Sequence, residues 1–141
     1  MKLLVASIVA LVGVVLVPAL PVSAETQKIS QQELLERLEK QDAPLVLDVR
    51  SAKEFETGRV PGAKNVPLQL LRASIERLRS EATGGDREVV VYCERGGRAA
   101  MAESMLIEAG FAAVKHLEGD MSGWRSASLP VEGPEDADTP E

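Results

Sequence analysis

The residues able to do chemistry are few and lie close together. The 141-residue chain has one cysteine, Cys93, and one histidine, His116. Cys93 follows the apolar run Val89-Val90-Val91-Tyr92 and precedes Glu94-Arg95-Gly96-Gly97-Arg98, after which an alanine- and methionine-rich stretch begins. A cysteine between a buried strand and the N-terminus of a helix meets unpaired backbone N–H groups and the positive end of the helix dipole, and both favour a thiolate. A lowered thiol pKa is the expected consequence. Gly96 and Gly97 let the backbone curl so that several N–H groups converge into an anion-binding nest, and Arg98 closes it with a fixed positive charge. These residue types at this spacing point to nucleophilic covalent catalysis by Cys93. An inert core thiol is the plain alternative; the glycines and the arginine weigh against it.

The other candidates are weaker. His116 as the base of a cysteine–histidine pair would need hydrogen-bond reach to Cys93 and a third orienting group, and a strand histidine is the simpler account. One cysteine and one histidine cannot make a structural zinc site, which takes about four such ligands; independently of that count, no metal or organic cofactor is expected. Arg50 and Glu54, four residues apart at a helix start, read as a structural ion pair. Met121 and Trp124 read as core packing.

The elements that must position the loop follow from periodicity and caps. Ser30 with Glu33 opens a helix whose Leu34, Leu35 and Leu38 share a face, and Ser51 with Glu54 opens a second, short one ending at Gly58. Between them Leu45 to Val49 reads as a buried strand with Asp48 near its end. Ala63 to Val66 is a brief strand. Leu68, Leu71, Ile75 and Leu78 mark an amphipathic helix. Val89 to Tyr92 is the strongest strand signal, a helix follows over Ala99 to Ala109, Phe111 to Leu117 is another strand candidate, and a short helix follows Gly119. Strands alternating with helices predict an α/β fold, a parallel sheet with helices on both faces. Ligands bind beyond the carboxyl ends of such strands, where Asp48 and Cys93 both fall. Asp48 there either bonds nearby backbone or shapes the loop.

Three segments make up the chain. Lys2, the apolar run from Leu3 to Leu20 and the small residues Val22 and Ala24 predict a signal peptide over 1–24, cleaved after Ala24. The alternative is an uncleaved anchor. Either places the domain, 25–131, outside the cytoplasm, in the periplasm or its equivalent, and a cleaved chain would have no membrane partner. The net charge is −6, and from Glu132 to Glu141 there are five acids and no base, so 132–141 reads as an acidic, disordered tail. No clustered basic stripe calls for a nucleic acid.

Cys93 to Ala99 resembles the active-site loop of rhodanese-homology domains. Leu47-Asp48-Val49-Arg50 with Glu54-Phe55 is similar to that family's first signature, Gly58 to Ala63 with Asn65-Val66-Pro67 to its second, and the likeness runs on to Gly119 and Trp124. It implies a rhodanese-like three-layer fold, a parallel sheet of about five strands flanked by helices on both faces, and thiosulfate sulfurtransferase activity. Cys93 would take the outer sulfur of thiosulfate or a related anion, release sulfite, and pass the sulfur from a persulfide to cyanide, a thiol or a protein acceptor. Glu94, Arg95, Gly96, Gly97 and Arg98 would bind the substrate, with Arg59 and Asp48 as outlying members. The resemblance associates the six-residue loop with sulfur substrates, whereas related phosphatases and arsenate reductases use a loop one residue longer, where this chain has Ala99. Arg95 stands where the family commonly has serine or threonine, and Asp120 where it often has a second glycine. A non-catalytic persulfide-binding or sulfur-relay module serving a partner is the alternative function.

Overall fold

A computed structural model describes residues 27–40 and 43–133. The leader expected over 1–24 and the tail from 134 onward lie outside the described residues.

Five parallel strands form one sheet, in the order β1-β5-β4-β2-β3. They are β1 (Gln27–Ile29), β2 (Leu45–Asp48), β3 (Lys64–Asn65), β4 (Val89–Tyr92) and β5 (Val114–Leu117). Helices α1 (Gln31–Leu38), α2 (Ala52–Thr57), α3 (Leu68–Glu81), α4 (Gly97–Glu108) and α5 (Asp120–Ser126) connect and follow them. The α/β expectation therefore holds, with the sheet all parallel. The strand β1 carries no sequence signal: Gln27-Lys28-Ile29 neither alternates nor runs apolar, and it is a strand because β5 supplies its hydrogen-bonding partner, with Ile29 opposite Leu117.

The period-two alternation of strands divides the core between the two faces of the sheet. Leu45, Leu47, Val49, Val89, Val91 and Cys93 pack with Leu71 and Leu78 of α3 and Ala99, Ala102 and Leu106 of α4. Val46, Val90 and Tyr92 face the other way, onto Ile29, Leu34, Leu117, Met121 and Trp124. Met121 and Trp124 are fully buried, as the packing reading expects. Both Ser–Glu spacings act as helix starts. The Ser30 hydroxyl accepts from the Glu33 N–H at 3.1 Å, and Ser51 and Glu54 form the complete reciprocal box. The β4 strand lies in the middle of the sheet, so the residue that follows it emerges at the centre of the carboxyl edge, flanked by β2 and β5.

Candidate active site

Cys93 is the first residue beyond β4, and its side chain continues the face that Val89 and Val91 present to α3 and α4. It is only 2% exposed, so a reactant reaches the sulfur through the loop rather than from an open surface. The loop curls as the glycines require. Gly96 adopts φ +107, a conformation that side chains disfavour, and this turns its N–H onto Cys93 Sγ at 3.0 Å. The helix α4 starts at Gly97, so its N-terminal turn directly follows that contact.

Around the loop, the charged residues are paired differently from the expectation. Arg50 does not pair with Glu54. Its guanidinium is buried and bonds both oxygens of Asp48, with Nη2 to Oδ2 at 2.6 Å and Nε at 3.0 Å, and also the Gly58 carbonyl at 2.7 Å. Its Nη1 reaches Glu94 Oε2 at 3.3 Å. Burial opposes the Arg50 charge, and the pairing with Asp48 outweighs it and raises the pKa. The reason for the switch is geometric. Asp48 sits on the solvent-free side of the strand end two residues away, whereas the Glu54 carboxylate is turned back to its own helix cap and outward to Arg98.

Arg98 grips that carboxylate with both nitrogens, at 2.8 and 2.9 Å. Its hydrogen bonds hold the Glu54 carboxyl well below the ordinary carboxylate range. The Arg98 pKa is raised in turn, by Glu54 foremost and by Cys93 in addition. The arginine thus ties the cysteine loop to α2 and stays partly exposed.

The remaining sequence candidates spread around this centre. Glu94 is engaged by Arg50 and Arg125. Arg95 is exposed and lines a cleft of about 440 Å³ together with Lys28, Gly96, His116, Glu118 and Asp120. Arg59 stacks over the Phe55 ring at 4.5 Å and pairs backbone to backbone with Glu132, the first residue of the expected acidic segment. Asp48 accepts from the Arg50 backbone N–H at 2.9 Å, and the Arg50 guanidinium that it holds reaches Glu94 of the loop at 3.3 Å. Tyr92 lies on the same side, its hydroxyl accepting from the Val60 N–H at 3.1 Å. Burial, with the Asp48 charge in addition, pushes the Tyr92 hydroxyl well above the ordinary phenol range.

One buried charged group was missed altogether in the sequence. Glu103 of α4, His116 of β5 and Asp120 of α5 meet behind the loop. A glutamate inside an alanine-rich helix was its one visible sign.

The chain matches the model of the rhodanese-like domain over residues 30–127. It is 31% identical over 108 residues to a sulfurtransferase of Allochromatium vinosum, covering 77% of this chain and 96% of that protein. With the chloroplastic thiosulfate sulfurtransferase 16 of Arabidopsis thaliana it shares 37% identity over 93 residues, 60% of this chain and 77% of that one. In two other curated relatives the match spans 44% and 58% of the protein. Among solved structures, the Alr3790 protein from Anabaena superimposes with a TM-score of 0.65 at 29% identity, over 74% of this chain and 81% of that one.

Proposed function

Since the chain belongs to the rhodanese-like domain family, we propose that it is a sulfurtransferase that carries sulfane sulfur on Cys93. The Cys93 thiolate attacks the outer sulfur of thiosulfate or a related donor. The donor S–S bond breaks, sulfite leaves with the electron pair, and a Cys93 persulfide remains. A nucleophilic acceptor, cyanide or a thiol, then attacks the outer sulfur. The persulfide S–S bond breaks, thiocyanate or an acceptor persulfide leaves, and the Cys93 thiolate is restored. No metal or organic cofactor enters either step.

The observation that carries this reading is the Gly96 N–H directed at Sγ at 3.0 Å. A backbone donor at the sulfur stabilises negative charge there before and after each displacement, and the positive charge of Arg98 in the same loop acts in the same direction. Arg95, exposed on the loop, supplies long-range attraction for an anionic donor, whereas the Arg59 charge is answered by Glu132 at 3.6 Å. The names of the relatives support sulfur transfer, and thiosulfate is the donor in the name of one of them.

The test is thiosulfate-to-cyanide transfer by the chain and by Cys93→Ala, with intact-mass detection of one added sulfur. The wild type is expected to gain the sulfur and turn over; the variant is expected to do neither. Full activity in Cys93→Ala refutes the reading, and sulfur gain without release to any acceptor favours a relay module instead. For the leader, the proposal is export with cleavage after Ala24, and N-terminal sequencing of exported material that begins at Met1 contradicts it.

A further inference from the structure

The sulfur-transfer steps leave two buried carboxylates and a partly buried histidine without a role. Glu103 is 2% exposed and Asp120 4%. His116 stands between them, its Nε2 at 2.8 Å from Asp120 Oδ2 and its Nδ1 paired with Glu103 Oε1. Three charged side chains from three elements, set together in a small domain, carry a desolvation cost that the fold recovers only through good mutual geometry. The hydrogen bond to Asp120 first, and that to Glu103 second, raise the His116 pKa to about 10 against the opposing effect of burial. The ring is therefore a cation at neutral pH, and it neutralises one of the two carboxylates.

What this unit touches is the cysteine loop. The second carboxylate oxygen, Asp120 Oδ1, accepts the Cys93 backbone N–H at 2.9 Å. The next two residues of α5 hold the two peptides that follow: the Met121 N–H donates to the Cys93 carbonyl at 3.0 Å and the Ser122 N–H to the Glu94 carbonyl at 3.2 Å. Gly96 lies directly against the unit. A Cβ there would stand 3.1 Å from Asp120 Oδ2 and 3.5 Å from the His116 ring. Asp120 itself has φ +53, a left-handed conformation that a glycine adopts without strain. A strained non-glycine residue persists where its surroundings over-determine it, and here the surroundings are His116 on one oxygen and the cysteine peptide on the other.

We propose that Asp120, fixed by His116 and Glu103, is a positioning residue for the sulfur-carrying cysteine: it holds the Cys93 N–H and braces the curl that brings the Gly96 N–H to Sγ. The inference deepens the sulfurtransferase reading and rests on it for its kinetic consequence. It makes a distinct prediction for the backbone. Asp120 acts through the loop and touches no reactant, so its removal lowers the rate of transfer at saturating donor and leaves donor binding nearly unchanged.

Two variants of the full chain test this. Asp120→Gly removes the carboxylate and also relieves the positive φ, so it is expected to fold, which a thermal melt checks. Asp120→Asn retains an oxygen to accept the Cys93 N–H while removing the negative charge that faces His116. Hydrogen exchange at the Cys93 and Gly96 amides is expected to rise about tenfold or more in Asp120→Gly, the loss associated with a charge-assisted hydrogen bond. Its kcat for thiosulfate-to-cyanide transfer is expected to fall by a similar factor, about tenfold, with KM within about twofold. Asp120→Asn is expected to stay within about threefold of wild type in both measurements. Unchanged amide protection in Asp120→Gly overturns the proposal. So does an Asp120→Asn that falls as far as Asp120→Gly, or a defect confined to KM. Should the wild type transfer no sulfur at all, the functional reading fails, while the exchange measurements still decide the positioning role.

Discussion

On the β2 side of the cysteine loop, Asp48, Arg50 and Glu94 form one charged cluster; on the β5 side, Glu103, His116 and Asp120 form another. Both are largely buried and both end on the loop. The first is assembled from neighbours in the chain. Asp48 and Arg50 are two residues apart, and the cluster reaches the loop through a side chain, Glu94. The second draws on α4, β5 and α5 and reaches the loop through a backbone N–H, that of Cys93. The difference separates two tasks. A local ion pair fixes where the end of β2 and the Gly58 turn sit. A dispersed one ties three elements to the peptide that bears the sulfur, so movement of any of them is felt at the loop.

That contrast can be broken at either cluster, and the largest effect is expected at the first. Arg50→Met leaves the Asp48 charge buried with no cation, and removing one partner of a buried pair costs about 3–5 kcal/mol. Chemical denaturation measures this, and Arg50→Met combined with Asp48→Asn is expected to recover a substantial part. A single-variant loss below about 1 kcal/mol would show that the cluster is no more than a surface pair.

The second cluster is expected to show itself in the pH dependence of stability. The folded-state pKa of His116 lies at about 10, above the ordinary 6.5, so folding takes up a proton at this site over that interval. Its stabilising contribution is complete below about pH 6.5 and is lost as pH rises toward 10. Thermal melts of the wild type between pH 6.5 and 10 should therefore decline, and those of His116→Gln should decline less over the same interval. Parallel curves for the two proteins would remove His116 from the account.

The smallest effect is expected at the bond between Glu54 and Arg98, whose side chains are 36% and 37% exposed. Glu54→Gln keeps the helix cap, since glutamine serves at that position, and drops the charge. Solvent screening limits the stability loss to less than about 1 kcal/mol. The loop mouth becomes more positive, so KM for thiosulfate is expected to fall at low ionic strength and to converge on the wild-type value at high salt. A rise in KM would mean that Glu54 aims Arg98 at the donor rather than competing for it.

Much of the site could be read from the sequence because it is local. Residues 93–98 supply a nucleophile, two glycines and an arginine in one stretch, and both ends of the contact between Gly96 and Sγ lie within it. The same is true of the Ser51–Glu54 helix start, where both partners lie within four residues. The central strands β2 and β4 were visible as runs of valine and leucine, since a strand buried on both faces leaves no room for polar side chains.

The amino-acid order alone thus determined the cysteine with the glycines and arginine that follow it, the helix caps and the alternation of strand and helix. Tertiary structure decided which charges meet. Arg50 could have taken Glu54 one helical turn away, and Glu54 could have answered only its own cap; packing gave Asp48 to the first and Arg98 to the second. His116 read as an ordinary strand residue until β5 was set beside β4 with α4 and α5 against it. Short-range order fixes φ, ψ and caps within a few residues, whereas a long charged side chain selects its partner from whatever the fold brings within about 4 Å. Around Cys93 that choice was made by the sheet order β5-β4-β2.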